Sequence, residues 1–289
     1  MKDPLFTGAC TALVTPFHNG KVNYSMLEIL LNRQMDAGIR AVVIAGTTGE
    51  ASTLSDEEKI RMFRFSREVC GEDCMVIAGT GSNSTAHTLA LSQAAEDAGA
   101  DALLLVTPYY NKATSAGLTA HYAAAAAAVE IPIILYNVPS RAGLDMPLSV
   151  YETLSKIPNI AGVKEASTDV AKITRLRNLC PDLTIWTGCD ELIAPVMALG
   201  GNGVISVVSN ILPVETQALA QAALDGDFDT AADLQCRLQP LIDLLFCEVS
   251  PVPVKAAMAL LGLDCGPCRM PLGSLSEPNR HKLEAYFCR

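Results

Sequence analysis

Eight short apolar runs alternate with amphipathic stretches over the first 225 residues, and this alternation limits the possible folds more than any other feature. Each run is continuously apolar, as expected for strands that are buried on both faces of a parallel sheet. Between the runs, hydrophobic residues recur with helical spacing, for example over 25–37 and 55–69. The predicted strands lie in the runs 9–14, 41–46, 75–81, 102–110, 132–138, 160–167, 183–190 and 203–208.

The number and length of these units predict an α/β fold, a (β/α)8 TIM barrel. One strand and its helix take about 27 residues, which is close to one unit of such a barrel. A doubly wound open sheet, the rival fold, usually has fewer units and a glycine-rich turn after its first strand. Here the first run leads into Thr15, Pro16 and Phe17 instead. We therefore predict a catalytic barrel over 1–225 and a helical C-terminal region over 226–289.

The charge balance and the lack of long apolar segments argue against several classes of partner. Lys and Arg total 21 against 31 Asp and Glu, so the formal charge is −10, which disfavours nucleic acid and anionic membranes. The small-residue stretch 123–128 is too short to span a membrane, and the first residues lack the apolar core of a signal peptide. We expect a cytosolic protein whose ten cysteines are reduced.

Lys164 is the most informative residue at the predicted carboxyl ends of the strands, where barrel enzymes place their active sites. It interrupts the apolar run that begins at Ile160. Burial favours the uncharged form of an amine, and an uncharged amine is a nucleophile toward a carbonyl group. The alternative is a lysine that extends from the strand end into solvent. All four histidines lie outside the strand ends, which argues against an imidazole metal site or a Ser-His-Asp triad.

Hydroxyl groups and one arginine stand at the neighbouring strand ends. Thr47 and Thr48 lie in a Gly-rich turn whose hydroxyl and backbone N–H groups suit a carboxylate, although such turns also occur without a ligand. Tyr110 and Tyr136 belong to a cluster of three tyrosines at two strand ends, which suggests a proton relay, with interior packing as the alternative. Arg141 is either a binding group for a substrate carboxylate or a surface side chain.

Seven motifs then occur in a fixed order between residues 15 and 206, and the resemblance that they carry extends over nearly the whole chain: Thr15-Pro16-Phe17, GTTGE (46–50), AGTGSN (78–83), TPYYNK (107–112), LYNVPSRAG (135–143), GVKEAS (162–167) and GGNGVIS (200–206). Together they resemble the motifs of the dihydrodipicolinate synthases, also called 4-hydroxy-tetrahydrodipicolinate synthases, within the pyruvate-dependent class I aldolases. The resemblance implies a lyase that condenses pyruvate with L-aspartate 4-semialdehyde in the diaminopimelate route to L-lysine. It implies no cofactor beyond the Schiff base that pyruvate forms with the enzyme.

The resemblance also implies the catalytic residues. Lys164 matches the lysine that forms the imine with pyruvate, and Tyr136 matches the tyrosine that donates and accepts protons. Thr47 and Tyr110 match the other hydroxyl groups of the relay. In the family, the tyrosine at the position of Tyr110 reaches the site from a neighbouring subunit, so we expect a homodimer or homotetramer.

Three further residues match binding positions of the family. Thr48 and Ile205 match residues that bind pyruvate, Ile205 through its backbone. Arg141 matches the arginine that holds the carboxylate of aspartate semialdehyde at the entrance of the site.

Two kinds of alternative function stay open at this point. Sialic acid lyases and keto-deoxy-sugar-acid aldolases share the lysine and the tyrosine, although Thr47 and Arg141 favour the synthase. Cys265 and Cys268 form a CxxC sequence, which suggests a redox or metal-binding protein. That motif lies in a loop after a predicted helix, without the second CxxC that would complete a zinc site.

The resemblance also bears on regulation by L-lysine, which inhibits some family members at a pocket between subunits. Sensitive bacterial enzymes carry an acidic residue where this chain has His87, and a histidine where it has Lys59. We therefore expect weak inhibition or none, with Asp56 as the carboxylate that would partly compensate. The pocket positions map to Ala51, Ser52, Asp56, Lys59, Asn83, His87 and Tyr109.

Overall fold

The structure, a computed structural model, describes residues 3–288 and confirms the (β/α)8 barrel. Its eight strands are all parallel and close in the order β1-β8-β7-β6-β5-β4-β3-β2, because β1 pairs with both β8 and β2. The barrel strands are β1 Gly8–Ala12, β2 Ala41–Ile44, β3 Met75–Gly79, β4 Ala102–Val106, β5 Ile133–Asn137, β6 Ile160–Glu165, β7 Thr184–Thr187 and β8 Gly203–Ser206. A separate antiparallel pair, Phe17–His18 with Lys21–Val22, follows β1.

The helices follow the predicted pattern closely. Ser55 caps the second helix with a capping box, in which its side chain accepts a hydrogen bond from the Glu58 N–H and the Glu58 side chain accepts one from the Ser55 N–H. In residues 3–288 the helices are α1 Tyr24–Asp36, α2 Asp56–Cys70, α3 Thr85–Asp97, α4 Ser115–Ala128, α5 Pro139–Ala142, α6 Leu148–Leu154, α7 Val170–Leu179, α8 Ile193–Ala198, α9 Pro213–Leu224, α10 Phe228–Leu245, α11 Val252–Leu260 and α12 Glu277–Phe287.

All eight barrel strands are shorter than the apolar runs that predict them. Strand β4 ends at Val106, and beyond it Tyr110 and Lys112 adopt left-handed backbone angles, with φ of 73° and 47°, so TPYYNK forms a loop. Asp190–Leu192 form a 3₁₀ turn directly before α8, which starts at Ile193. That start places Pro195 in the first turn of the helix, where its missing N–H costs no hydrogen bond.

The barrel interior is closed at the amino ends of the strands. Trp186 is fully buried there, its ring stacks on Phe6 with 4.7 Å between centroids, and its indole N–H donates to the Phe6 carbonyl at 3.2 Å. A second and larger apolar layer lies between the strands and the helices. Access to the interior is therefore left to the carboxyl end of the barrel.

Helices α10, α11 and α12 form the C-terminal region, and α10 packs along α9. Helix α9 ends at Leu224 and α10 begins at Phe228, on either side of the predicted domain boundary at residue 225, which stays a prediction. Within residues 3–288, every helix is too short or too polar to cross a membrane.

Candidate active site

Lys164 and Tyr136 lie side by side at the carboxyl end of the barrel. They are directly paired in the register of β5 and β6, and the Lys164 Nζ lies 4.5 Å from the centroid of the Tyr136 ring. The two residues are only 5% and 6% exposed. No carboxylate within residues 3–288 forms an ion pair with Lys164. The alternative interpretation, in which Lys164 extends from the strand end into solvent, is therefore wrong. The amine of Lys164 is available to a ligand.

A cavity of about 330 Å³ brings most of the predicted site residues together. Lys164, Tyr136, Thr47, Thr48 and Arg141 all line it. A second cavity of about 580 Å³ shares Thr47, Tyr136 and Arg141 with the first, so the two spaces meet at these side chains. The arrangement places an amine, several hydroxyl groups and a guanidinium around a space large enough for two small carbonyl compounds.

The threonines sit on a tight turn between two strained residues. Ala45 and Glu50, on either side of the turn, both adopt left-handed backbone angles, with φ of 54° and 58°. The Glu50 N–H donates to the Thr47 carbonyl at 3.1 Å, and the Thr15 hydroxyl donates to the Gly49 carbonyl at 2.6 Å. Left-handed angles are costly for residues other than glycine and persist only where the surroundings enforce them. The shape of this turn is therefore imposed by tertiary contacts.

Arg141 stands at the rim, in the short helix α5. Its guanidinium donates to the Ser250 carbonyl at 3.2 Å, so the loop before α11 holds the side chain over the opening. The residue itself is exposed and lines both cavities. An arginine fixed in this way can meet a carboxylate that enters from solvent.

Two of the predicted site residues, Tyr110 and Ile205, line neither cavity. Tyr110 is 89% exposed and lines neither space. The Ile205 side chain is fully buried in the barrel interior and also lines neither. A single chain thus places Tyr136 and Thr47 at the site but leaves Tyr110 on the surface.

A polar network lies directly behind Lys164 and Tyr136, and its members are buried except for Asp145, which is exposed. No motif in the sequence indicates it. The Asn137 side-chain amide donates to Glu165 Oε1 and to Asp145 Oδ1, both at 2.8 Å. The Tyr151 hydroxyl donates to Glu165 Oε2 at 2.9 Å, and Lys172 forms ion pairs with Glu165 at 3.5 Å and with Asp145. Side chains alternate along a strand, so Asn137 and Glu165 face the helices while Tyr136 and Lys164 face inward. We call the five network residues, Asn137, Asp145, Tyr151, Glu165 and Lys172, the pair support.

Cys265 and Cys268, the cysteines of the CxxC sequence, are poor nucleophiles. Burial raises the pKa of Cys265 to about 12 and that of Cys268 to about 11. It also raises the pKa of Cys189, beside Lys164 in the smaller cavity, to about 12. Reactive thiols show the opposite shift, and residues 3–288 hold no cluster of three metal-ligating side chains. These observations weigh against the redox and metal-binding alternative.

Fold and site together define a (β/α)8-barrel enzyme with a buried lysine as its candidate nucleophile. Residues 5–288 match the Dihydrodipicolinate synthetase family, and the chain belongs to this family. The 4-hydroxy-tetrahydrodipicolinate synthase of Acetivibrio thermocellus is 45% identical over 280 residues, which are 96% of this chain and 95% of the relative.

Two solved structures illustrate how closely the fold is shared. The crystal structure of the chloride-inhibited dihydrodipicolinate synthase from Acinetobacter baumannii, complexed with pyruvate, has a TM-score of 0.95 and 41% identity and covers 98% of each chain. The crystal structure of DHDPS from Cyanidioschyzon merolae with lysine bound has a TM-score of 0.96 and 36% identity, covering 99% of this chain and 98% of that one. The similarity thus extends through the C-terminal region.

Proposed function

We propose that this protein condenses pyruvate with L-aspartate 4-semialdehyde through a Schiff base on Lys164, giving 4-hydroxy-tetrahydrodipicolinate. The observation that carries the proposal is the register pair of Lys164 and Tyr136, which shares one cavity with Thr47, Thr48 and Arg141. Family membership and relatives that bear the synthase name support the same reaction. The pyruvate complex of the Acinetobacter baumannii enzyme supports pyruvate as the first substrate.

The chemistry begins with attack of the Lys164 amine on the keto carbon of pyruvate. Loss of water gives an imine, and in its protonated form the imine draws electrons from the neighbouring methyl carbon. A proton then leaves that carbon, and the resulting enamine attacks the aldehyde. The amino group of the second substrate finally displaces Lys164 as the ring closes, which restores the free amine. Tyr136, beside the amine, is the group we assign to proton transfer in these steps.

The remaining residues hold the substrates. In our proposal the Thr47–Thr48 turn binds the carboxylate of pyruvate, assisted by the backbone at Ile205. Arg141 meets the carboxylate of the aldehyde at the rim. This division leaves the reacting carbons facing Lys164 and Tyr136.

We further propose that the active form is a homodimer or homotetramer. Tyr110 is 89% exposed, so in one chain its hydroxyl is presented outward and not to the cavity beside Tyr136. A partner chain that brings the equivalent tyrosine to the cavity would complete the relay with Thr47. The location in the cytosol stays a prediction from the sequence.

The experiment that tests the proposal compares aldehyde substrates in the wild type and in Arg141→Ala. We expect turnover with L-aspartate 4-semialdehyde and a loss of about 10- to 150-fold in the variant, which is the loss of about 1.5–3 kcal/mol for a hydrogen bond to a charged group. Imine formation with pyruvate should change little. Preference for a neutral sugar aldehyde, with no effect of the substitution, would favour a sugar-acid aldolase instead.

A further inference from the structure

The glutamate of the GTTGE motif takes no part in the proposed chemistry, yet it is one of the most deeply buried charges. Glu50 is 1% exposed, and its Oε1 lies 2.6 Å from the Nζ of Lys255, which is 4% exposed. Its other oxygen accepts the backbone N–H of Arg269 at 2.8 Å. The end of the threonine turn is thus joined to α11 and to the loop that follows it.

An aromatic ring completes this connection. The Lys255 Nζ and the Arg269 Cζ each lie 4.3 Å from the centroid of the buried Phe17 ring. The Arg269 guanidinium also donates to the Thr53 carbonyl at 2.8 Å and to both carboxylate oxygens of Glu58, at 2.7 and 2.6 Å. We call Phe17, Glu50, Lys255 and Arg269 the turn clamp. It holds the turn from its C-terminal side.

The CxxC loop has a structural role in the same contact. The Phe17 N–H donates to the Cys265 carbonyl at 2.8 Å. Gly266 has a φ of 67°, and a Cβ there would lie 2.2 Å from the Phe17 carbonyl oxygen. Only glycine permits this close approach of two backbones. The loop therefore packs against the barrel, and this packing places the Arg269 N–H within hydrogen-bond distance of Glu50.

The clamp also accounts for the strain in the turn. Glu50 holds a left-handed angle that costs free energy for a residue with a side chain. Its carboxylate is fixed at both oxygens, one by Lys255 and one by Arg269. Removing one partner of a buried ion pair leaves an uncompensated charge, so the turn would move to bring Glu50 to water. Thr47 and Thr48 would move with it.

We propose that Glu50 and Lys255 are positioning residues that hold the Thr47–Thr48 turn in the shape that binds the carboxylate of pyruvate. The inference rests on the proposed function, because it takes pyruvate as the ligand of this turn. Lys255→Met should raise the pyruvate concentration needed for half-maximal imine formation about 10-fold or more. This is the effect expected if the displaced turn loses one hydrogen bond to the charged carboxylate of pyruvate. The KM for the aldehyde, which we assign to Arg141, should change much less.

Three further variants make the test specific. Lys255→Arg keeps the charge and should restore much of the pyruvate affinity that Lys255→Met loses. Glu50→Gln still accepts the Arg269 N–H but loses the charge, and it serves as the second variant if Lys255→Met does not fold. Asp101→Asn is the matched control, because Asp101 pairs with Arg67 at 3.1 Å and accepts the Val76 N–H at 2.7 Å at the opposite end of the barrel.

The measurement is borohydride trapping over a range of pyruvate concentrations, read by intact mass, with urea unfolding of each variant in parallel. We expect a shifted pyruvate dependence in Lys255→Met and Glu50→Gln and the wild-type dependence in Asp101→Asn. A wild-type dependence in a folded clamp variant, or an equal shift in Asp101→Asn, would overturn the inference. No trapping in the wild type would instead overturn the proposed function.

Discussion

The pair support and the turn clamp differ in how far apart in sequence their members lie. The pair support joins residues from 137 to 172, all contributed by consecutive units of the barrel. The turn clamp joins Glu50 to Lys255 and to Arg269, which lie 205 and 219 residues further along the chain. The first network therefore forms with the barrel wall, whereas the second forms only when the C-terminal region docks.

The difference assigns separate tasks to the two networks. The pair support fixes the ends of β5 and β6 and thereby the distance between Tyr136 and Lys164. The turn clamp fixes the loop after β2, where we place the carboxylate of pyruvate. Damage to the first should lower the rate of imine chemistry, and damage to the second should weaken pyruvate binding.

The largest effect is expected from Lys172→Met in the pair support. Glu165 is 4% exposed and would lose its only cationic partner among residues 3–288. Breaking a buried pair in this way should lower the free energy of unfolding by about 3–5 kcal/mol. In the fraction that stays folded, the rate of imine formation should fall while its pyruvate dependence stays near that of the wild type.

Urea unfolding and single-turnover trapping check this expectation. Lys156→Met is the matched control, because Lys156 is exposed and lies 3.9 Å from Glu152, so its removal should cost no more than about 1 kcal/mol. If Lys172→Met weakened pyruvate binding as strongly as Lys255→Met does, the two networks would not have separate tasks.

A smaller effect, confined to activity, is expected from Gly188→Ala on the opposite side of Lys164. A Cβ at this position would lie 2.7 Å from the Lys164 Cε and 2.8 Å from the Ala166 Cβ. The lysine must then shift, and a displacement of about 1 Å at a reacting group costs roughly 100-fold in rate. Turnover should fall accordingly, with the turn clamp and the pyruvate contacts of the Thr47–Thr48 turn unaffected.

Gly117→Ala is the control for this substitution. A Cβ at Gly117 meets its nearest neighbour at 3.4 Å, an ordinary contact, so activity should stay at the wild-type level. Steady-state assays on both variants make the comparison. Full activity in Gly188→Ala would mean that the position of Lys164 is less restricted than we infer.

The smallest effect is expected from L-lysine, which is bound in the Cyanidioschyzon merolae structure. In this chain the acidic Asp56, which lines the larger cavity, is already paired with His87 at 2.8 Å and with Lys59 at 3.5 Å. Burial acts to raise the pKa of Asp56, but the hydrogen bond and charge of His87, with Lys59, hold it below its usual value. A carboxylate engaged in this way is a poor partner for a further ammonium group.

Initial rates at saturating pyruvate, with L-lysine up to millimolar concentrations, should therefore stay close to the uninhibited rate. Asp56→Ala serves as the comparison, since it should change this result little. Strong, cooperative inhibition at sub-millimolar lysine that is lost in Asp56→Ala would contradict the expectation and identify Asp56 as the binding group.

Much of the fold and part of the site could be predicted from the sequence. Continuous apolar runs and helical spacing are local properties, so they predicted the barrel and placed Lys164 and Tyr136 at strand ends. The loop form of TPYYNK was missed because hydrophobicity does not report the left-handed angles of Tyr110 and Lys112. The turn clamp was missed because nothing local to Lys255 or Arg269 indicates which barrel loop they cover.

Borohydride reduction of the wild-type chain with and without pyruvate, followed by peptide mass mapping, tests the assignment of Lys164 most directly. We predict that the peptide containing Lys164 gains the mass of a reduced pyruvyl group only when pyruvate is present. Lys164→Ala should keep its fold and show no such gain. A pyruvate-dependent gain on another lysine, or none on any lysine, would contradict the assignment of Lys164 as the Schiff-base residue.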